Sequence, residues 1–499
     1  VAKTPYFQTL FSKPFKTFIL TAYSIGREDD YWTKGITAEQ KAEETRQFHD
    51  LTQYLLTIYK GTGKTFVLQH WEGDWAIRSG QGKPYDPKIV PTQTAVDGMI
   101  QWINARQAGI VQARKEMPDS DVHVYGATEV NRIEDAMAGM PVVADAVLPH
   151  TTVDLVSYSC YTFLTSPKRL AEGVNYIVAH LPPTAIFGQN AHSVYLGEYG
   201  YPENGVKGAA GVNDRLNTVL QVVKEKDLPW AIYWEVYCNE PKKTAPTPPV
   251  TKDEDMMGYW LVKPDARPSV AWHRLRQQFA ASNPDLATTD AIKAKLTPLF
   301  QENFDRADST DLGIGWKRSS HYGVVNEKLI NHQLRFDIPE GNQIPWGSAT
   351  LDLTNPAILG RGLNVGEYFE FTLRRLSDWG MLGVELFDSD QLRQGSGEKG
   401  GPSPLQVWDG RTWIPFSIDD KGNSVDFDWS KPHVLGVRMD SANGYFDSFS
   451  YYIDGHYAGS WLIKTGNKTL NRLGVYAQSG TSAAAFVFDD LKVYGTPRK

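Results

Sequence analysis

Cysteine is nearly absent: the chain of 499 residues holds 2. Two thiols can build neither a disulfide framework nor a four-thiolate zinc site. Long hydrophobic runs are missing as well, and no stretch reaches the ~18 uncharged apolar residues that a membrane-spanning helix needs. There is no basic excess. Lys+Arg 51 against Asp+Glu 58 gives a net charge of -7, and without a basic run such a chain is a poor partner for nucleic acid or an anionic membrane. No collagen or heptad repeat is visible. A hydrophobic fraction of 41% with 22% charged residues excludes disorder as the main state. No His-x-x-x-His pair and no Ser/His/Asp set stands out. Gly61-Thr62-Gly63-Lys64-Thr65 is not a phosphate loop, because Ile58 stands where that motif needs Gly and a strand follows rather than a helix. Residue 1 is Val and no signal-peptide pattern follows, so either a leader has been removed or the sequence is a fragment.

Aromatic residues are plentiful, with 15 Trp and 24 Tyr. Several sit beside polar residues, as expected where flat sugar faces stack on rings, although large cores use Trp too. Residues 1 to about 280 alternate between short apolar runs and longer stretches of helical spacing. Strands are predicted at 18–23, 66–71, 122–126, 153–158, 194–197 and 230–234. Helical stripes lie between them, for example Phe48, Leu51, Leu55 and Ile58. This βαβα order predicts a parallel sheet and a (β/α) barrel. From Asn303 onward period-2 alternation takes over, as in Leu334/Phe336/Ile338 and Leu473/Val475/Ala477, and Asp454-Gly455 reads as a hairpin turn. The expected organisation is a catalytic barrel over 1–281, a linker over 282–300 and a β-sandwich over 301–499.

In α/β barrels the chemistry lies where strands end. The predicted strands lead into Glu72, Glu129, Tyr161, Glu198 and Trp234, so carboxylates and rings converge on one rim. Two carboxylates flanking a sugar are the minimum equipment for glycoside hydrolysis, one as proton donor and one as nucleophile or base. Aromatic walls exclude water and raise the acid's pKa. Glu72 and Glu198 are the catalytic candidates. Trp71, Asp74, Trp75, Glu129, Tyr161, Tyr199, Trp234 and Tyr237 are the substrate-binding candidates. Each has a plainer reading: a solvated loop for Asp74, a core ring for Trp234, a rival acid or an Arg132 partner for Glu129. His70 reads as a satisfied rim histidine, and Cys160 and Cys238 as free thiols.

These residues resemble the clan A glycoside hydrolases, which are retaining (β/α)8 enzymes. The carriers are Phe66–Glu72, Trp102 through Pro118, Val122–Ala127, Asp154-Leu155-Val156-Ser157 through Tyr161, and Ala231-Ile232-Tyr233-Trp234. The most specific is Tyr195-Leu196-Gly197-Glu198-Tyr199-Gly200-Tyr201-Pro202. The resemblance implies Glu72 as acid/base on the fourth strand, Glu198 as nucleophile on the seventh, and Tyr161 as a hydrogen-bond donor to that nucleophile. It makes Phe18–Tyr23 the third strand and places the first two upstream of residue 1. It implies carboxyl groups ~5–5.5 Å apart, as retention requires. Two positions depart from the family: Trp71 stands where Asn binds the sugar 2-hydroxyl, and Ser159 stands at the sixth-strand His position.

The C-terminal half resembles concanavalin-like and laminin-G-like jelly rolls, through Glu302-Asn303-Phe304-Asp305, Tyr452-Ile453-Asp454-Gly455 and Phe488-Asp489-Asp490-Leu491-Lys492-Val493. That resemblance implies glycan binding, with Trp379, Trp408 and Trp413 as candidates, or a structural brace. It also implies a structural Ca²⁺ shared by Asp305 and Asp489 or Asp490. Asn467-Lys468-Thr469 is a glycosylation sequon, relevant only to a eukaryotic secreted protein. The expectation is a secreted or periplasmic monomer that hydrolyses a polysaccharide or oligosaccharide without cofactor or catalytic metal. The alternative is a glycan-binding protein on a barrel scaffold that has lost catalysis.

Overall fold

The computed structural model describes residues 2–79, 86–247, 249–250, 252–341, 344–386, 393–396, 402–408, 413–419, 423–442, 447–463 and 470–496. The chain divides into two compact units: Val1–Tyr201 with Asp214–Glu235, and Pro202–Asn213 with Val236–Lys499.

All six predicted strands of the first unit form. They are β1 (Thr17–Thr21), β2 (Thr65–Gln69), β3 (His123–Val130), β4 (Leu155–Ser159), β5 (Val194–Tyr199) and β6 (Ala231–Tyr233). Their order in the sheet is their order in the chain, every pairing is parallel, and β1 and β6 are the edges. Among the described residues this is an open six-stranded parallel sheet in a mixed α/β protein. The expected (β/α)8 barrel, with its first two strands placed upstream of residue 1, is not closed by these six.

Side chains alternate across a strand, and that alternation sorts the sheet into two faces. On one face Phe18, Phe66, Leu68 and Val124 pack with Phe48, Leu55 and Ile110. The last three come from helices Ala38–Ile58 and Gln93–Glu116. The first of these helices opens with a reciprocal Thr37/Gln40 capping box, and the second is capped by Thr92, so both begin where their unpaired N–H groups find partners. On the other face Val67, Ala127, Leu155 and Tyr195 form a compact apolar layer. Burying side chains of this size contributes about 1.5–3 kcal/mol each. Two residues further along each strand, the same face carries Gln69, Glu129, Ser157 and Gly197. An apolar floor thus supports a polar layer at the carboxyl ends. β3 runs on to Val130, so Glu129 is a strand residue opposite Ser157 rather than part of the loop after the strand.

In the second unit, two antiparallel sheets share one apolar core. One runs His456–Ile463, Asp447–Ile453, His433–Ala442, Tyr368–Arg375, Ala484–Gly495, Gln333–Ile338, Asn326–Ile330, with Thr297–Glu302 also on Ala484–Gly495. The other runs Trp413–Pro415, Ser403–Trp408, Arg393–Ser396, Met381–Leu386, Arg472–Gln478, Trp346–Asp352, Trp316–His321. Phe336, Phe371, Phe449, Phe486 and Phe488 meet Leu351, Val384, Leu473 and Val475 between the sheets. This is the β-sandwich that the alternation predicts. Asp454 and Gly455 both adopt positive φ at the hairpin between Ile453 and His456, as a two-residue primed turn requires. Arg276, on helix Val270–Ser282, reaches the carboxylate of Asp440 and the hydroxyl of Ser450.

Asp305 pairs with His332, Asp489 accepts from Gln333, and Asp490 pairs with Lys492. Among the described residues no group of three or more His, Cys, Asp and Glu gathers to hold a metal ion. The sequon at Asn467 and the side chain of Trp408 lie outside the described residues. No described helix is long and apolar enough to cross a membrane.

Candidate active site

The polar layer of the parallel sheet holds the candidate groups. Glu72 follows β2, where the chain turns sharply into the short helix Gly73–Ala76. It makes that turn at φ 27, a left-handed conformation that costs a non-glycine residue about 1–3 kcal/mol. Gly73 makes the turn possible, since a Cβ there would sit 2.7 Å from the Glu129 carbonyl oxygen and 2.8 Å from the His70 ring. The Ser159 hydroxyl, at the end of β4, donates to Glu72 Oε1 at 2.8 Å. Burial raises the Glu72 pKa above the ordinary carboxyl value, and the charge of Asp74 adds to the rise. The Ser159 hydrogen bond opposes both.

Glu198 lies on β5, in register with Ser159 of β4. The Tyr161 hydroxyl donates to Glu198 Oε1 at 2.8 Å, the contact expected of Tyr161. The two candidate catalytic carboxyls, from β2 and β5, are therefore both held by donors from the end of β4.

Glu129 lies beneath them and is 1% exposed. Its Oε2 accepts the Glu72 backbone N–H at 2.7 Å, and its Oε1 accepts the Ser157 hydroxyl at 2.7 Å and, at 3.5 Å, Gln69 Nε2. The Tyr195 hydroxyl closes the chain onto Gln69 Oε1. Burial pushes the Glu129 carboxyl up to about 8; Ser157 and the Glu72 N–H oppose this, while the Glu198 and Glu72 charges reinforce it. A group so enclosed does not meet substrate, which corrects the expectation of Glu129 as a sugar contact or rival acid.

Asp74 is corrected in the same way. It is 0% exposed. Its Oδ2 accepts the N–H groups of Asn131 and Arg132 at 2.8 and 2.9 Å, and Oδ1 accepts that of Val143 at 2.8 Å. It pins the loop after β3 and does not reach a ligand. Tyr199 is 2% exposed, its ring edge-on to Tyr233, and belongs to the core rather than to a subsite.

Trp71 remains 38% exposed, with its N–H on the Tyr23 hydroxyl at 3.0 Å. Trp71, Trp75, Tyr23, Trp102, Asp29 and Asp30 are among the residues lining a cavity of about 160 Å³. A larger hollow of about 830 Å³ runs along β1, past Phe7, Phe11, Ile19 and Tyr54, and neither lining includes Glu72, Glu129 or Glu198. Trp234 ends the β6 edge, half-buried, its N–H on the Tyr199 carbonyl at 2.8 Å. Tyr237 lies in the second compact unit and is 57% exposed.

His70 is satisfied, as expected. Its Nε2 takes Thr128 Oγ1 at 2.7 Å and the Glu129 N–H at 3.3 Å, and burial depresses its pKa to about 3, so the ring is neutral. Cys160, buried, and Cys238 are both free thiols. Gln69, Ser157 and Tyr23 were absent from the candidates read in the sequence. Period-2 alternation from Val67 and Leu155 is the signal that finds the first two.

No family model and no curated protein matches the chain. Some solved structures are similar to it. The carbohydrate recognition domain of Emp47p aligns over 41% of this chain and 98% of its own, at 16% identity and a TM-score of 0.24. An uncharacterized protein from Mycobacterium paratuberculosis, an Rv0315 ortholog, aligns over 39% and 99%, at 15% identity and a TM-score of 0.28. A protein of unknown function with a galectin-like fold from Bacillus subtilis aligns over 40% and 98%, at 10% identity and a TM-score of 0.25. At TM-scores this low, the similarity carries no argument about activity.

Proposed function

We propose that this chain is a retaining glycoside hydrolase acting on a polysaccharide or oligosaccharide, with the six-stranded sheet as an arc of a (β/α)8 barrel. The observation that carries the reading is the pair Glu72, in the turn after β2, and Glu198, on β5, each accepting from a hydroxyl. Glu72, its pKa raised by burial, is suited to carry a proton near neutral pH. Glu198, bonded by Tyr161, is suited to attack as a carboxylate.

In the first step a Glu198 oxygen bonds to the anomeric carbon, the glycosidic C–O bond breaks, and the departing oxygen takes the proton of Glu72. In the second, Glu72 takes a proton from water, whose oxygen displaces Glu198 from the anomeric carbon. Trp71 and Trp75 stack a sugar beside Glu72, and Trp234 another near the β6 end. No cofactor takes part. The β-sandwich serves as a jelly-roll glycan-binding module or brace, and the protein works outside the cytoplasm, secreted or periplasmic.

One observation favours a second reading, a glycan-binding protein without catalysis: Trp71, 38% exposed, stands in the sequence where the glycosidases it resembles have the Asn that binds the sugar 2-hydroxyl. Incubation with a panel of polysaccharides, reading new reducing ends, separates the two. Cleavage that disappears in both Glu72→Gln and Glu198→Gln supports the hydrolase, and retention of anomeric configuration in the first-formed product supports double displacement. Binding without cleavage across the panel would overturn it.

A further inference from the structure

We propose that Glu129 is a positioning residue for the proton donor, holding the Glu72 backbone in its left-handed turn so that the Glu72 carboxyl stays on Ser159. Glu129 does not touch substrate. It is 1% exposed and directed at backbone, with Oε2 on the Glu72 N–H at 2.7 Å. That N–H belongs to the residue at φ 27. Such a conformation persists only when its surroundings impose it, and the Glu129 carboxyl accepts this amide. The other oxygen is fixed by Ser157 at 2.7 Å, from the strand that also supplies Ser159, the hydroxyl on Glu72. β3 and β4 thus grip both ends of Glu72, its amide through Glu129 and its carboxyl through Ser159. The space is closed from β5 as well, since a Cβ on Gly197 would fall 2.9 Å from Glu129 Oε1.

The titratable groups facing Glu129 are His70 and Glu72 from β2 and the turn after it, Tyr195 and Glu198 from β5, and Tyr23 after β1. Burial keeps the carboxyl protonated up to about 8, so at neutral pH it adds no third charge beside Glu72 and Glu198. An amide can replace a neutral carboxyl there: Gln accepts the Glu72 N–H through oxygen and donates to Ser157 through nitrogen. Leu can do neither.

The kinetic arm of the test rests on the glycosidase reading; the spectroscopic arm does not. Glu129→Leu is expected to lower kcat about 100-fold with KM within about threefold, as a displaced catalytic group does, and Glu129→Gln to recover most of the loss. The Glu72 amide, followed by hydrogen exchange in protein labelled with ¹⁵N-glutamate, is expected to be protected in wild type and Glu129→Gln and to exchange rapidly in Glu129→Leu. In wild type that amide resonance shifts with an inflection near pH 8, which Glu129→Gln abolishes. Full kcat in Glu129→Leu, an equally protected Glu72 amide, or a wild-type resonance unmoved through pH 8 each overturn the proposal. If wild type cleaves nothing, the hydrolase reading fails and the exchange result still decides the positioning role. If Glu129→Leu does not fold, the pH response of Glu72 in wild type and Glu129→Gln decides it.

Discussion

The carboxyl ends of the parallel sheet and the interior of the sandwich are both buried, but for opposite purposes. Between the sandwich sheets, Phe336, Phe371, Phe486, Val384 and Leu473 fill the space with hydrocarbon. Beyond the apolar floor of the parallel sheet stand a carboxyl raised to about 8, a histidine lowered to about 3 and a glutamate at positive φ. The first region lowers the free energy of the fold. The second draws on it to hold groups in states they would not adopt alone, as functional sites do.

The largest effect belongs to the rim. Glu198→Gln and Glu72→Gln are expected to cut hydrolysis by about 10³-fold or more while circular dichroism and melting stay near wild type. A loss of fold would mean that these carboxyls hold structure, and the contrast would fail. Next comes the sandwich, where Phe336→Ala or Phe486→Ala is expected to cost about 3–5 kcal/mol of unfolding free energy, measured by denaturant titration. A value under about 1 kcal/mol would show that the interface is loosely filled. Asp74→Asn sharpens the line between structural and catalytic carboxyls. Its amide would face a backbone N–H, and about 1–3 kcal/mol of stability should go with KM unchanged. A raised KM with intact stability would return Asp74 to the substrate.

The smallest effect is in pH. The Glu129 pKa rises from 4.5 to about 8 on folding, so the native state keeps a proton that the unfolded chain has released. Its share of stability is complete below the unfolded value and is lost as pH rises through the folded one. Melting temperature should fall between pH 5.5 and 8.5 more steeply in wild type than in Glu129→Gln, and equal slopes would contradict the burial argument. His70 acts with the opposite sign. Its pKa falls from 6.5 to about 3, so stability is lost as pH drops below 6.5.

The strand pattern was legible because hydrophobic alternation is local. All six parallel strands and the sandwich strands appear where apolar residues recur, and Glu72, Glu198 and Tyr161 follow from asking what stands at strand ends. Closure into a barrel is not local, and the six strands observed do not supply it. Asp74 and Glu129 were misassigned because a carboxylate near a strand end reads the same whether it faces a ligand or a backbone amide. Only the third dimension shows that Val143 closes over one and Ser157 over the other. Tyr199 was misassigned because the motif that leaves Glu198 half-buried buries its neighbour.

Gly197 precedes Glu198, and a methyl group there would overlap Ser157 Oγ at 1.7 Å. Alanine there forces the Ser157 hydroxyl to swing away, and with it goes the bond that fixes Glu129 Oε1. The two positions are epistatically coupled, so a library that varies Gly197 and Ser157 together reaches sequences that one varying Gly197 alone penalises.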